Sequence, residues 1–237
     1  MEFTRLGHVP TTDEDLPVWM EMAKYQLREP RSMILSHFMR EHRGVKYMDL
    51  GTEWRLEPNQ HLGTGALSGC CPNIYIPEGT TFGNEVFTHG HGSTVTHVKF
   101  HGSIQSIPEK LFESCSSLQS IEGVGITEVG RLAFFYNSRL REVILPKAET
   151  IGFMAFSTCA QLVKIRLPAV HTLSKKAFSN CALLWGVDLP EVHSILDECF
   201  QNCTTLYEVN APRVRVIGDN VFENCPSLLH VPHVPHY

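Results

Sequence analysis

Hydrophobic residues recur with a period of 22 through the second half of this 237-residue chain. The repeated positions are Phe (112, 134, 156, 178, 200 and 222), Leu six residues later (118, 140, 162, 184, 206 and 228), a β-branched residue three further on (121, 143, 165, 187, 209 and 231), Pro (146, 168, 190 and 212) and an inner aliphatic residue (129, 151, 173, 195 and 217). Columns that stay in phase in this way indicate a repeat architecture.

Each repeat is predicted to contain one short strand and a return segment. Within the stretch 162–168, Ile165 and Leu167 follow the alternation of a strand, which ends at Pro168 because proline has no N–H to donate to a ladder. The stretch 173–181 is expected to turn back through a short helical or 3₁₀ segment that buries Ala177 and Phe178. A unit of this size is stable only when it stacks on its neighbours, so the repeats predict a solenoid.

The repeat resembles the BspA-like, or treponemal-type, leucine-rich repeat, and the stretch 140–162 follows the consensus of that family almost position for position. The resemblance implies an α/β solenoid: a right-handed leucine-rich-repeat superhelix with one parallel concave sheet. It also implies a role in recognition or adhesion, because the family is known from bacterial surface proteins and from large sets in protists. We expect about seven to eight repeats over residues 61–237.

The first repeats are less regular than the later ones. Ile74, Ile76 and Phe87 reproduce the strand and Phe columns, but 25 residues separate Phe87 from Phe112 instead of 22. Three extra residues are therefore expected in this turn of the chain.

Residues 1–60 lack the columns and are predicted to form a helical N-terminal segment. Acidic residues at 13–15 offer a helix start, Pro30 interrupts the pattern, and a second helix is expected over 31–42, ending before Gly44. Two roles remain open for this segment. It either caps the first turn of the solenoid or acts as an arm that docks into a partner through Trp19 and Phe38.

Composition limits the function classes without choosing among them. A net charge of −5 provides no basic field for nucleic acid or for an anionic membrane. The first 31 residues have no continuous apolar stretch, so they predict neither a signal peptide nor a membrane span. We therefore expect an intracellular, cytoplasmic protein whose eight cysteines are free thiols.

The cysteines and histidines are interpreted as structural or solvated rather than chemical. Five cysteines (115, 159, 181, 203 and 225) share one repeat position, where Asn137 replaces the sixth. This exchange favours a buried turn in which a small polar atom meets backbone amides. No CxxC pair or catalytic motif occurs, and the His groups at 89–101 and 230–236 lack carboxylate or Cys partners at ligand spacing. We predict no metal, no cofactor and no catalytic residue.

The outward-facing strand positions form the candidate binding surface, because solenoids commonly bind partners on the concave sheet. The residues selected there are Tyr75, Lys99, Glu122, Ile144, Lys164, Arg166 and Asp188. At the C-terminal edge of the sheet, His230 and Val231 are expected to contact another chain, because the residues that follow them offer little cover.

Two functional classes follow from these observations. The first is a non-catalytic interaction or scaffold protein, a subunit of a larger intracellular assembly with protein partners and without direct contact to nucleic acid or membrane. The second is a surface or secreted adhesion module.

Overall fold

The computed structural model describes residues 39–70, 72–83, 86–87 and 94–230. Each turn of the solenoid contributes one strand of three or four residues and one of two. The strands are β1 (Met39–His42), β2 (Val45–Asp49), β3 (Glu53–Leu56), β4 (His61–Leu62), β5 (Asn73–Ile76), β6 (Thr81–Phe82), β7 (His97–Phe100), β8 (Ser106–Ile107), β9 (Ser120–Gly123), β10 (Glu128–Val129), β11 (Glu142–Ile144), β12 (Thr150–Ile151), β13 (Lys164–Arg166), β14 (Thr172–Leu173), β15 (Gly186–Asp188), β16 (Ser194–Ile195), β17 (Glu208–Asn210) and β18 (Val216–Ile217).

The longer strands build the main sheet in the order β1-β2-β3-β5-β7-β9-β11-β13. From β3 onward all its pairs are parallel. The strands β15 and β17 form a separate parallel pair in the next two turns. Along each strand the inward residue is mostly buried and its neighbours face outward, so the sheet has one core face and one outer face.

A second sheet, which the sequence analysis did not predict, lies in the other part of each turn. It contains the two-residue strands in the order β18-β16-β14-β12-β10-β8, and all its pairs are parallel. The inner aliphatic column, for example Val129 and Ile151, supplies its buried residues. The expectation of one parallel sheet was therefore incomplete. The described residues contain no helix, so they do not support the helical part of the predicted α/β class.

The return segment of each repeat is a series of turns, not the helical or 3₁₀ segment expected from the sequence. In each regular turn, the residues two before and two after the Phe have positive φ angles, as at Met154 (53°) and Thr158 (64°). This geometry breaks the run of helical dihedrals. It also lets alternate N–H groups reach the next turn, as when Phe134 N donates to Ala155 O (2.8 Å). Hydrogen bonds between turns thus replace those within a helix.

The end of the second predicted helix is a strand. Residues 39–42 form β1, which pairs antiparallel with β2. Arg43 (φ 49°) and Gly44 (φ 80°) connect them with two positive φ angles, as a type I′ hairpin turn requires. Gly44 therefore belongs to a hairpin and does not end a helix. The strands β2 and β3 also lie in the segment 1–60 that was predicted to be helical, and β3 already pairs with β5 of the main sheet. The part of the prediction before residue 39, including Trp19 and Phe38, lies outside the described residues.

A stack of phenylalanine rings forms the centre of the core. The rings at 112, 134, 156, 178, 200 and 222 lie 4.9 to 5.8 Å apart, centroid to centroid, with interplanar angles of at most 9°. The first five side chains are fully buried. Because each ring packs against those of the neighbouring turns, this column fixes the stacking and so aligns the outward side chains of successive strands.

Candidate protein-binding surface

The outer face of the main sheet aligns the residues that were selected from the sequence. The register pairs Tyr75 with Lys99, Lys99 with Glu122, Glu122 with Ile144, and Ile144 with Arg166. These five residues therefore form one row across five parallel strands, at about 4.8 Å per strand.

The other selected residues lie beside this row or outside the described part of the chain. Lys164 belongs to the neighbouring row and pairs with Glu142. Asp188 lies on β15, and His230 forms an isolated bridge with Glu208. Val231 is outside the described residues, so the predicted cover of the C-terminal edge stays a prediction.

Several charged side chains on this face pair with a charged or polar neighbour. The Lys99 Nζ lies 3.6 Å from Glu122 Oε1, Lys164 forms an ion pair with Glu142, and the Asn210 Nδ2 donates to Asp188 Oδ1 at 2.8 Å. Exposed pairs of this kind contribute little stability, so a partner displaces them at low cost.

Arg166 differs from the other charged residues of the row. Within the described part of the chain it has no ion pair, and its side chain is exposed. It lies beside Ile144, which is partly buried. The pair offers a guanidinium and an aliphatic group at one point of the face, a combination that suits protein contacts.

The row begins at a half-buried cluster of Glu53, Arg55 and Tyr75. Arg55 Nε lies 2.8 Å from Glu53 Oε1, and its guanidinium carbon lies 4.8 Å from the centroid of the Tyr75 ring. Burial raises the pKa of Glu53 and of Tyr75 and lowers the pKa of Arg55. Opposing charges and the cation–π contact compensate part of this desolvation, which favours a fixed arrangement at this end of the row.

The cysteine column is structural. The thiols of Cys159, Cys181 and Cys203 each donate to the carbonyl oxygen of the Phe 25 residues earlier, at 3.2 Å. The partner is thus a carbonyl, not the amide expected from the sequence. Burial raises the pKa of the Cys159 thiol to about 12 and raises those of Cys181 and Cys203 as well. Thiols held in the protonated form are poor nucleophiles and poor metal ligands.

The described residues contain neither a candidate metal cluster nor a candidate membrane span. Among them, no three His, Cys, Asp or Glu side chains lie close enough to hold a metal ion. In the same part of the chain, no helix has the length and hydrophobicity that crossing a membrane requires.

A second exposed surface was missed in the sequence analysis. The positions just before the strands carry Arg141, Val163, Trp185, Tyr207 and Leu229 in successive turns. Inter-turn bonds run from Val163 N to Arg141 O, from Tyr207 N to Trp185 O and from Leu229 N to Tyr207 O. Val163, Trp185 and Leu229 are 52%, 58% and 66% exposed. Together with Arg139 and Leu183, which stand two residues earlier in their turns, these residues are termed the rim surface.

A signal for the rim surface was present in the sequence. Its column has the period of 22 and contains large apolar residues in its last four turns, although it lies next to the buried Leu column and outside the strand alternation. The structure shows that these side chains are exposed, so a periodic apolar column does not always belong to the core.

The comparisons agree with the geometry. Residues 56–148 and 127–235 match the family model described as "BspA type Leucine rich repeat region (6 copies)". Among solved structures, a leucine-rich repeat protein from T. pallidum is 22% identical with a TM-score of 0.58, over 86% of this chain and 91% of that one. One from Eubacterium ventriosum is 17% identical with a TM-score of 0.51, over 69% of this chain and 55% of that one. Among curated proteins, no sequence matches the chain.

Proposed function

This chain belongs to the BspA-type leucine-rich-repeat family, and we propose that it is a non-catalytic scaffold protein that binds a protein partner on the outer face of its main sheet. Leucine-rich repeats generally serve as binding modules, which supports this proposal. The contact residues proposed are Tyr75, Lys99, Glu122, Ile144, Lys164, Arg166 and Asp188.

One observation supports this proposal above the others: Ile144 and Arg166 are adjacent in register, partly or fully exposed, and outside the ion pairs that join their neighbours. Parallel strands hold both side chains on a rigid backbone, so a partner that contacts them loses little conformational freedom in the complex. Arg is enriched among the residues that dominate protein interfaces.

Site-specific crosslinking tests the surface directly. With Ile144 replaced by p-benzoylphenylalanine, irradiation in a lysate of the source cells is expected to crosslink one protein. The same crosslinker at Tyr136, which is exposed on a return segment, is the matched control and is expected not to capture it. Capture of the same protein from both positions, or from neither, contradicts the proposed face.

Charge reversal tests the contribution of Arg166. We expect Arg166→Glu to weaken binding of the crosslinked protein by about tenfold or more, because it places a carboxylate where the partner accepts hydrogen bonds. Arg215→Glu, at an exposed arginine outside the main sheet, is expected to leave binding unchanged. Equal loss in both variants would indicate an effect of net charge instead of a contact.

We propose an intracellular assembly as the setting, with a surface adhesion module as the alternative. The thiols of Cys159, Cys181, Cys199, Cys203 and Cys225 form no disulfide within the described part of the chain, as is usual in a reducing compartment. The alternative is favoured by the bacterial surface proteins of the resembling family. An epitope tag on the full-length protein distinguishes them: cleavage by protease added to intact cells supports the adhesion module, and protection supports the intracellular one.

A further inference from the structure

The rim surface combines an apolar row with two arginines at one end. Among the described residues, Arg139 and Arg141 form no ion pair, and together with Gln119 and Gln161 they line a shallow depression. The Gln161 side-chain oxygen accepts a hydrogen bond from Arg141 Nε at 3.3 Å, so the remaining guanidinium N–H groups face the depression or solvent. Two guanidinium groups with flanking amides form a donor set that suits a carboxylate.

The apolar part of the rim surface is centred on Trp185 and Tyr207. Their rings are stacked with centroids 5.3 Å apart and an interplanar angle of 2°. His230 then packs edge-on against Tyr207, at 6.2 Å. One face of each ring is therefore covered by the other, while the Trp185 side chain stays 58% exposed and available to a partner. The two arginines and the apolar rings together suit a partner that carries both a carboxylate and an apolar side chain, as a polypeptide does.

The distance between the two parts determines the spacing of the partner's residues. Trp185 stands two turns after Arg141 in the same column, which corresponds to about 10 Å at roughly 4.8 Å per turn. A segment in the extended polyproline II conformation advances about 3.1 Å per residue and has about three residues per turn, so residues three positions apart lie on the same side and bridge this distance. Val163 lies between the two and offers an exposed aliphatic contact for the intervening chain.

We propose that the rim surface binds an extended segment of a partner protein that carries an acidic residue and a large apolar residue three positions apart. The carboxylate pairs with Arg139 and Arg141, and the apolar side chain packs against the exposed surface of Trp185 and Tyr207 beside Leu183. This site is separate from the outer face of the main sheet and does not depend on the function proposed for that face.

A library of random linear peptides displayed on phage, selected on the full chain, tests this proposal. The enriched peptides are expected to share Asp or Glu three positions from Leu, Phe, Trp or Ile. The best of them, synthesised with a fluorophore, should bind about tenfold or more weakly to Arg139→Gln/Arg141→Gln and to Trp185→Gln. Replacing its acidic residue with Lys should abolish binding to the native chain and restore it to Arg141→Glu.

Matched variants separate this site from general effects. Arg215→Gln and Tyr136→Asn remove an exposed arginine and an exposed aromatic ring elsewhere and should bind normally. Arg166→Gln should also bind normally, so failure of the proposed main-sheet face leaves this test intact. Thermal melting of each variant checks its fold, and the Lys-peptide rescue is measured on a variant that keeps Trp185.

Three outcomes would overturn the proposal. They are enriched peptides without the three-residue spacing, equal binding to the native chain and to Arg139→Gln/Arg141→Gln, and no enrichment while the chain sediments with vesicles of anionic phospholipid. The last result would assign the rim surface to a membrane instead of a polypeptide.

Discussion

The side-chain amide of Asn137 donates a hydrogen bond to the carbonyl oxygen of Phe112 across 2.7 Å. One turn later, the thiol of Cys159 makes the same contact with Phe134. The two side chains differ in their other polar atoms. Asn137 also carries Oδ1, which is buried and has no hydrogen-bond partner in the described part of the chain. A cysteine at this position satisfies the carbonyl and leaves no strong acceptor without a partner.

Asn137→Cys is therefore expected to stabilise the protein. Removing the unsatisfied oxygen should raise the free energy of unfolding by about 1–2 kcal/mol, because a buried acceptor without a partner carries most of its desolvation penalty. Urea unfolding under reducing conditions measures the change. The reverse exchange, Cys181→Asn, introduces the same oxygen in another turn and should destabilise. Loss of stability in both variants would contradict this explanation of the column.

Thr158→Asn is expected to stabilise the return segments. Thr158 has a φ of 64°, a conformation that β-branched residues adopt at a cost and Asn tolerates. Asn180, Asn202 and Asn224 occupy the same position in later turns, and their amides bond from turn to turn at 3.0 and 2.8 Å. Thr158→Asn should add about 0.5–1 kcal/mol to the free energy of unfolding, whereas Thr158→Val should lower it. Thermal and urea unfolding of both variants give the comparison.

These positive φ angles show where prediction from the sequence failed. The asparagines at 180, 202, 220 and 224 are typical of left-handed residues, but Leu132 and Met154 occupy equivalent positions without any such signal. Their conformation depends on hydrogen bonds to the next turn, such as Leu132 N to Phe153 O at 2.9 Å. A pattern within one repeat does not contain this information, so a helical segment was expected.

The strand register was predictable because it follows directly from the period. Once Val143 and Ile165 are aligned in the core, Ile144 and Arg166 must be neighbours on the outer face, as the structure shows. The rim surface was not predictable in this way, because the exposure of Trp185 depends on where the chain enters each strand. Periodicity aligns residues in a column, but packing decides whether the column is buried.

Buried thiols should make the protein less stable in alkali. The pKa of the Cys159 thiol is about 12 in the folded protein, compared with 9.0 for an unperturbed thiol such as that of the unfolded chain. The unfolded chain therefore loses this proton first as the pH rises. Stability is therefore expected to fall between these two pKa values, by up to about 1.4 kcal/mol per pH unit for each such thiol. Cys159→Ala should reduce this slope in urea unfolding from about pH 8 to about pH 11. Cys225→Ala, at a partly buried thiol, should reduce the slope less. Identical slopes in the native protein and in both variants would contradict the attribution of the alkaline instability to the buried Cys159 thiol.

The phenylalanine stack should have a position-dependent contribution to stability. Phe156 is fully buried between Phe134 and Phe178, with ring centroids 4.9 and 5.3 Å away, so Phe156→Ala leaves a cavity that two neighbouring turns line. We expect a loss of about 3–5 kcal/mol in the free energy of unfolding. Phe222 is only partly buried and has one stacked neighbour, Phe200, so Phe222→Ala should cost less than half as much. Urea unfolding followed by tryptophan fluorescence measures both, with Phe156→Leu as the control that keeps most of the volume. Equal losses at 156 and 222 would show that the rings act independently of their place in the stack.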